Sequence, residues 1–303
     1  MPRPALVVLS VFLFGSLSAC KVSDDAIAAS HQMTSTAAAL NDFYSTLEDA
    51  VTDTITLYEL DDALSGIPFR DNDRKLQETT RSELENRKEM AAALAKLAAS
   101  FATLTNSSSA SDVDKSATAL GNQLITIKAL PSGSPVPGAL GKAANALMQI
   151  VQQHDEKKAA RAIDETLQAV GDLFEAEKPV YDSIARTQIR QAGEVAKTLI
   201  DANQVDYTSM LTPALKPFSL SELPSNAILQ AQLKPLALSR LDTATGIAVH
   251  SEEKASTAML DALREMSSRV HLLATEKPMP IRDAPFSLKL VEDWVQSWAA
   301  SLI

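Results

Sequence analysis

An all-α fold, built as an elongated antiparallel bundle of long heptad-patterned helices, is what the sequence predicts. Glycine is scarce, at 9 of 303 residues, less than half its usual share of about 7%. Aromatic residues make up only 5%, while the long segments are rich in Ala, Leu, Glu, Lys and Gln, which lose little freedom in a helix. Apolar residues recur in steps of four and three. No segment shows sustained period-two alternation with β-branched residues, so no sheet is expected.

The chain opens Met1-Pro2-Arg3-Pro4 and then runs apolar from Ala5 to Leu17, broken only by Ser10, Gly15 and Ser16. A charged start, a short apolar stretch and small residues before a cleavage point describe a secretory signal peptide. The apolar run is too short to cross a bilayer, which takes roughly 20 residues. Leu17-Ser18-Ala19-Cys20 then resembles the lipobox of bacterial lipoproteins, with Leu three positions before Cys, two small residues, and the chain's single cysteine. The resemblance covers the signal alone. It implies cleavage before Cys20, acylation of that cysteine with fatty acids such as palmitate, and a body anchored to a membrane. Several acyl chains together hold a protein where one would bind only reversibly. In lipoproteins an Asp after the cysteine tends to retain the protein at the inner membrane; Lys21 therefore implies the outer membrane, with the body in the periplasm. One cysteine allows no intramolecular disulfide.

Residues 1–19 are thus read as a signal peptide, 20–23 as the lipidated Cys and a short tether, and 24–303 as the helical body. Asp24 or Ser23 can cap the first helix. Its repeat face reads Met33, Ala37, Leu40, Tyr44, Leu47, Val51, Thr54, Tyr58, the seven-residue pattern of a helix packed lengthwise on others. Gly66-Ile67-Pro68 ends it. A second helix is expected from Asp71 to Thr105 on Leu76, Thr80, Leu84, Arg87, Ala91, Leu94, Ala98, Phe101 and Leu104, so the first two elements form a helical hairpin. Asp112–Leu130 reads as a shorter third helix.

Pro131–Gly138 is the clearest break and divides possible subdomains 24–130 and 139–303. Beyond it, Ala139–Lys178 is helical in pattern, and Pro179 either kinks that helix or opens the next, which reaches Ala202. The stretch 203–224 carries three prolines and is irregular. A helix starting at Ser225 is expected to break near Pro235 before a long one runs to Lys277. Pro278, Pro280 and Pro285 then isolate a C-terminal helix, 286–302.

Loss of residues 1–19 removes only Arg3 among the charged residues, taking the net charge from −10 to −11. That balance excludes nucleic acid as a partner and argues against peripheral binding to anionic lipid headgroups. No His follows a Glu at the Glu-x-x-His spacing of ferritin-like metal sites, and HExxH, GxSxG and glycine-rich phosphate loops are missing. No metal, cofactor or catalytic set is expected. His250 with Glu253 reads as a solvated surface pair, and His154–Lys158 as a charged face or turn. Trp294 and Trp298 stand at i, i+4 on one face of the C-terminal helix. A partner or membrane-interface contact is one reading of them; an apolar stripe docked on the protein's own bundle is the other. Ile67 and Phe69, on the turn after the first helix, are a second candidate partner contact, and folding back as a cap is the alternative. The pattern as a whole points to a non-enzymatic, membrane-anchored envelope lipoprotein with a structural or protein-interaction role. The competing binding-module reading has a bundle enclosing a small apolar ligand lined by Tyr44, Tyr58, Phe101 or Phe174.

Overall fold

The computed structural model describes residues 5–66, 71–104, 110–131, 133–150, 156–213, 227–275 and 286–301, with only the backbone before Ala26. Every regular element among them is helical: α1 (Ala5–Ser65), α2 (Asp71–Leu104), α3 (Ala110–Thr126), α4 (Ala139–Ile150), α5 (Glu156–Asp201), the single turn α6 (Thr208–Leu211), α7 (Ala227–Ala274) and α8 (Phe286–Ser301). None is long and apolar enough to cross a membrane. The all-α antiparallel bundle is the observed architecture.

The heptad face of α1 explains its place. Met33, Ala37, Leu40, Tyr44, Leu47, Val51 and Thr54 are all buried, and only Tyr58, near the end, is half-buried. On α2, Thr80 through Phe101 of the expected face are buried, while Leu76 at its start is 49% exposed. The two helices form the expected hairpin, tied outside by Lys88 Nζ to Glu48 Oε2 at 2.6 Å. Gly66 ends α1 with φ +68°, a left-handed conformation that glycine adopts without the strain a Cβ would bring.

α1 packs on α2, α5, α7 and α8, while α3 and α4 bridge from α2 across to α5. α5 and α7 form a second long hairpin, and α8 returns to lie on α1 and α7. Buried side chains from both sides of Pro131–Gly138 join one cluster that runs from Ala26 to Trp298. The halves 24–130 and 139–303 therefore share a core.

Several boundaries differ from expectation. The described part of the helical pattern after Ala139 is α4 and α5, which pack on each other; residues 151–155, His154 and Asp155 among them, lie outside the described residues. Pro179 sits inside α5 rather than opening a new helix. α7 likewise runs through Pro235, where an interruption was expected. A proline removes one backbone hydrogen bond, but tertiary packing offsets the loss here: Ala237 is buried against Ile200 and Tyr207, and Lys234 Nζ bonds the Asp201 carbonyl at 2.9 Å. α5 itself stops in a left-handed Asn203, φ 53°, with Asn203 N–H donating to Ile200 O and Gln204 N–H to Leu199 O, the paired bonds of a Schellman cap. Residues 21–23, expected as a tether, are part of α1.

Leu47→Asp places an unpaired carboxylate at a fully buried position and should destabilise by more than about 4 kcal/mol. A three-residue Gly-Ser insertion between Ser134 and Pro135, both exposed, should shift the melting temperature little. Thermal melts on the two variants check the ranking, and a worse loop insertion would contradict the packing described.

Candidate functional site

The centre of the bundle holds a charge that an apolar core does not ordinarily admit. Arg87 falls on the buried face of α2 and is 0% exposed. An unpaired guanidinium there would be prohibitive, so every donor must find an acceptor. Arg87 Nε donates to Glu177 Oε2 at 2.8 Å and Nη2 to Glu177 Oε1, a bidentate pair with α5. Nη1 donates to the Glu83 carbonyl and Nη2 also to the Lys128 carbonyl, both at 2.7 Å. Glu83 adds its carboxylate, 3.5 Å from Arg87 Nη1, and accepts from the Lys128 amide at 3.3 Å.

Glu177 is shared. The Tyr181 hydroxyl, one helical turn on, donates to Glu177 Oε2 at 2.5 Å, and its oxygen lies 3.4 Å from the Tyr44 hydroxyl of α1. Burial pushes the Tyr181 and Tyr44 hydroxyls well above the usual phenol range, so both stay protonated. Burial, the largest single influence, would lower the Arg87 pKa, but the Glu177 hydrogen bonds together with the electrostatics of Tyr181, Glu177 and Tyr44 make the net shift upward. The chain Tyr44–Tyr181–Glu177–Arg87–Lys128 carbonyl thus joins α1, α5, α2 and the strand of backbone after α3. Around it Phe43, Tyr44, Phe174, Tyr181 and Trp294 touch ring to ring, with centroids 5.2–6.4 Å apart.

Arg87, Tyr44, Tyr181 and Glu177 are all buried and bonded to one another across three helices, so the network holds those helices in position. Of its members, Arg87 and Tyr44 stand on the faces read from the sequence; Glu177 and Tyr181 were missed. The available signal was that Glu177 and Tyr181, at i, i+4, continue the apolar face that Val170 and Phe174 begin on α5.

Trp294 and Trp298 are 4% and 8% exposed. Trp294 packs on Phe43 at 5.2 Å and on Trp298 at 5.7 Å, and Leu288 and Val291 complete the stripe. The proposed partner contact on these two residues is corrected accordingly: α8 spends its apolar face on its own bundle. Trp298 also walls a shallow groove of about 180 Å³ with Asp42, Thr46, Asp49 and Val295. Ile67 and Phe69 lie outside the described residues. Leu17, Ser18, Ala19 and Cys20 fall in the helical course of α1, and their side chains are outside the described part.

Of the residues suggested to line a ligand cavity, Tyr44 and Phe174 pack on each other at 6.4 Å, Phe101 is buried and Tyr58 half-buried. Glu253 accepts from Arg186 at 2.7 Å rather than pairing with exposed His250. Among the described residues no three His, Cys, Asp or Glu side chains gather as metal ligands.

Glu177→Leu leaves Arg87 buried without its partner and should cost about 3–5 kcal/mol, whereas Arg87→Met with Glu177→Leu should recover most of that loss. Chemical denaturation of the two variants measures the difference. A double variant as unstable as the single one would show that the pair is not what Arg87 depends on. No known protein family, curated protein or solved structure matches the chain.

Proposed function

We propose that the protein is a bacterial envelope lipoprotein, anchored by acylated Cys20 in the outer membrane, whose periplasmic body serves a structural or protein-interaction role without catalysis. The observation that carries this reading is Leu17-Ser18-Ala19-Cys20 behind a short apolar run, with no other cysteine in 303 residues. The form of the body is consistent with it. From Cys20 onward α1 is continuous helix to Ser65, about 70 Å at 1.5 Å per residue, and the rest of the bundle is built along it. Such a body has little freedom to swing on its anchor. Upright, it carries the far end of the α1–α2 hairpin deep into the periplasm, where an envelope partner can meet it. The buried polar network serves rigidity, which a spacer or scaffold requires.

Metabolic labelling with a tagged palmitate tests the anchor. Wild type should take up label and Cys20→Ser should not; equal labelling of both would refute the lipoprotein reading. Lys21→Asp should move the protein from the outer to the inner membrane fraction. Orientation is tested by fluorophores at exposed Ser35 and Ser65 with quenchers in the lipid headgroups. Strong quenching at Ser35 and little at Ser65 is expected, and strong quenching at both would mean a body lying flat on the membrane.

A further inference from the structure

The seam between α5 and α7 contains a second buried acidic site, in which Glu252 itself forms no ion pair among the described residues. Glu252 of α7 is 0% exposed, and neither of its carboxyl oxygens receives a hydrogen bond from a donor among the described residues. Its polar neighbour is the Asp182 carboxyl of α5, within hydrogen-bonding reach. Two carboxyl groups can bond each other only if one of them carries a proton. Both oxygens of Asp182 already have partners: Lys178 Nζ lies 2.8 Å from Oδ2, and Ser256 Oγ donates to Oδ1 at 2.6 Å. The proton therefore resides on Glu252. Burial first, and then the Asp182 charge, push the Glu252 carboxyl up to about 8, and Lys178 and Arg186 pull the other way without reversing it.

Position gives this pair its consequence. On one side of Glu252, Ala255, Met259 and Leu263 of α7 belong to the main core. On the other, the main core runs on for about two turns through Ala185, Ile189, Ala248 and Val249, and beyond them the α5–α7 hairpin continues as an arm with a small cluster of its own, Ile200, Tyr207 and Ala237. Ile228, Leu236 and Ile247 of that part of α7 are 73%, 57% and 62% exposed. The arm has little apolar burial to hold it shut, and the last buried polar contact before it is Glu252 with Asp182.

We propose that Glu252 and Asp182 form a proton-sharing latch at the base of the α5–α7 arm, closed while Glu252 carries the proton and loosened when the proton is lost. The release chemistry is simple: the proton passes to solvent, and two adjacent carboxylates in a dry seam repel. The groups facing Glu252 from α5 are Asp182, Lys178 and Arg186, and Arg186 is itself engaged by Glu253. α6 carries no charged residue. Lys289, Glu292 and Asp293 of α8 are exposed. On α1, by the register of the Tyr44–Tyr181 and Asp61–Gln191 contacts, the acid at this height is Asp53, which burial and Asp49 push upward. It supplies no cation to hold Glu252 ionised.

In the open arm Glu252 is hydrated and releases its proton near the ordinary 4.5, whereas in the closed arm it keeps it to about 8. Between those values the closed form holds one proton more than the open form, so stability of the closed arm falls as pH rises. The opening constant grows about tenfold per pH unit over that window and levels off above it. The latch is independent of the lipid anchor.

Hydrogen exchange on the full chain in detergent micelles, corrected for intrinsic exchange chemistry, tests the proposal. From about pH 5.5 to about 7.5 the opening constant of the arm amides in α5 beyond Arg190 and in α7 before His250 should rise about a hundredfold relative to α1 and α2. In Glu252→Gln, whose amide still donates to Asp182 but does not titrate, it should stay flat. Equal pH slopes in the two proteins would overturn the latch. Carbon-13 carboxyl resonances of wild type decide the matter even if the variant does not fold. One glutamate titrating near 8 is expected, and all of them titrating below about 5, the ordinary range, would overturn it.

Discussion

The bidentate bond between Arg87 and Glu177 is the constraint on which the arrangement of the helices depends. Apolar heptads allow two helices to slide by a whole repeat at modest loss, because one leucine resembles another. A buried guanidinium does not allow it. With Arg87 0% exposed, any register that separates it from Glu177 leaves an uncompensated charge, worth several kcal/mol. The same Arg87 holds the carbonyls of Glu83 and Lys128, so the end of α3 is fixed with it. Tyr181 and Tyr44 extend the tie to α1. One network thereby sets the α1–α2 hairpin against the α5–α7 hairpin and decides which rings meet in the aromatic core. Replacing the pair with apolar residues of similar size need not lower stability, so its value lies in specifying a single arrangement.

α1 has two tasks in this structure. Its heptad face is a wall of the core, and its start carries the cysteine through which the protein is proposed to meet the membrane. Because no break separates the two within Ala5–Ser65, the orientation of the body is coupled to the anchor. Rigidity then falls off toward the far end. The main core gives way there to exposed Leu60, Leu64 and Leu76 on the first hairpin and to the thinly packed arm on the second. Glu252 sits at that transition. A body firm near the proposed anchor and adjustable at its tip fits the proposed role of presenting a surface at a distance.

How much of this was legible in the sequence follows the range of the interactions concerned. The α1 face, Met33 through Thr54, needed only the spacing of residues along one helix, and the placing of Trp294 and Trp298 on one face of α8 was legible for the same reason. Arg87 appeared on the apolar face of α2, but its partner lies 90 residues away, and periodicity carries no information about which helix will stand opposite. The continuation of α7 through Pro235 was illegible because local propensity argues for a break, and it is overridden by contacts with Ile200, Tyr207 and Asp201 from another helix. Glu252 stands among Glu and Lys residues in Ser251–Lys254 and reads as solvated surface; only the approach of Asp182 reveals it as a buried acid. The resemblance of Leu17–Cys20 to a lipobox is the reverse case, a wholly local pattern that owes nothing to the fold.

Because the two hairpins share a core, they form one cooperative unit although a proline-rich break lies between them. Native-state hydrogen exchange at increasing denaturant measures it most directly, by comparing amides in Leu84–Ala98 of α2 with those in Ile163–Tyr181 of α5. The account predicts that both sets converge on one opening free energy with one denaturant dependence, since Arg87 and Glu177 cannot part without exposing the shared core. Separate free energies, with one hairpin opening while the other keeps full protection, would contradict it.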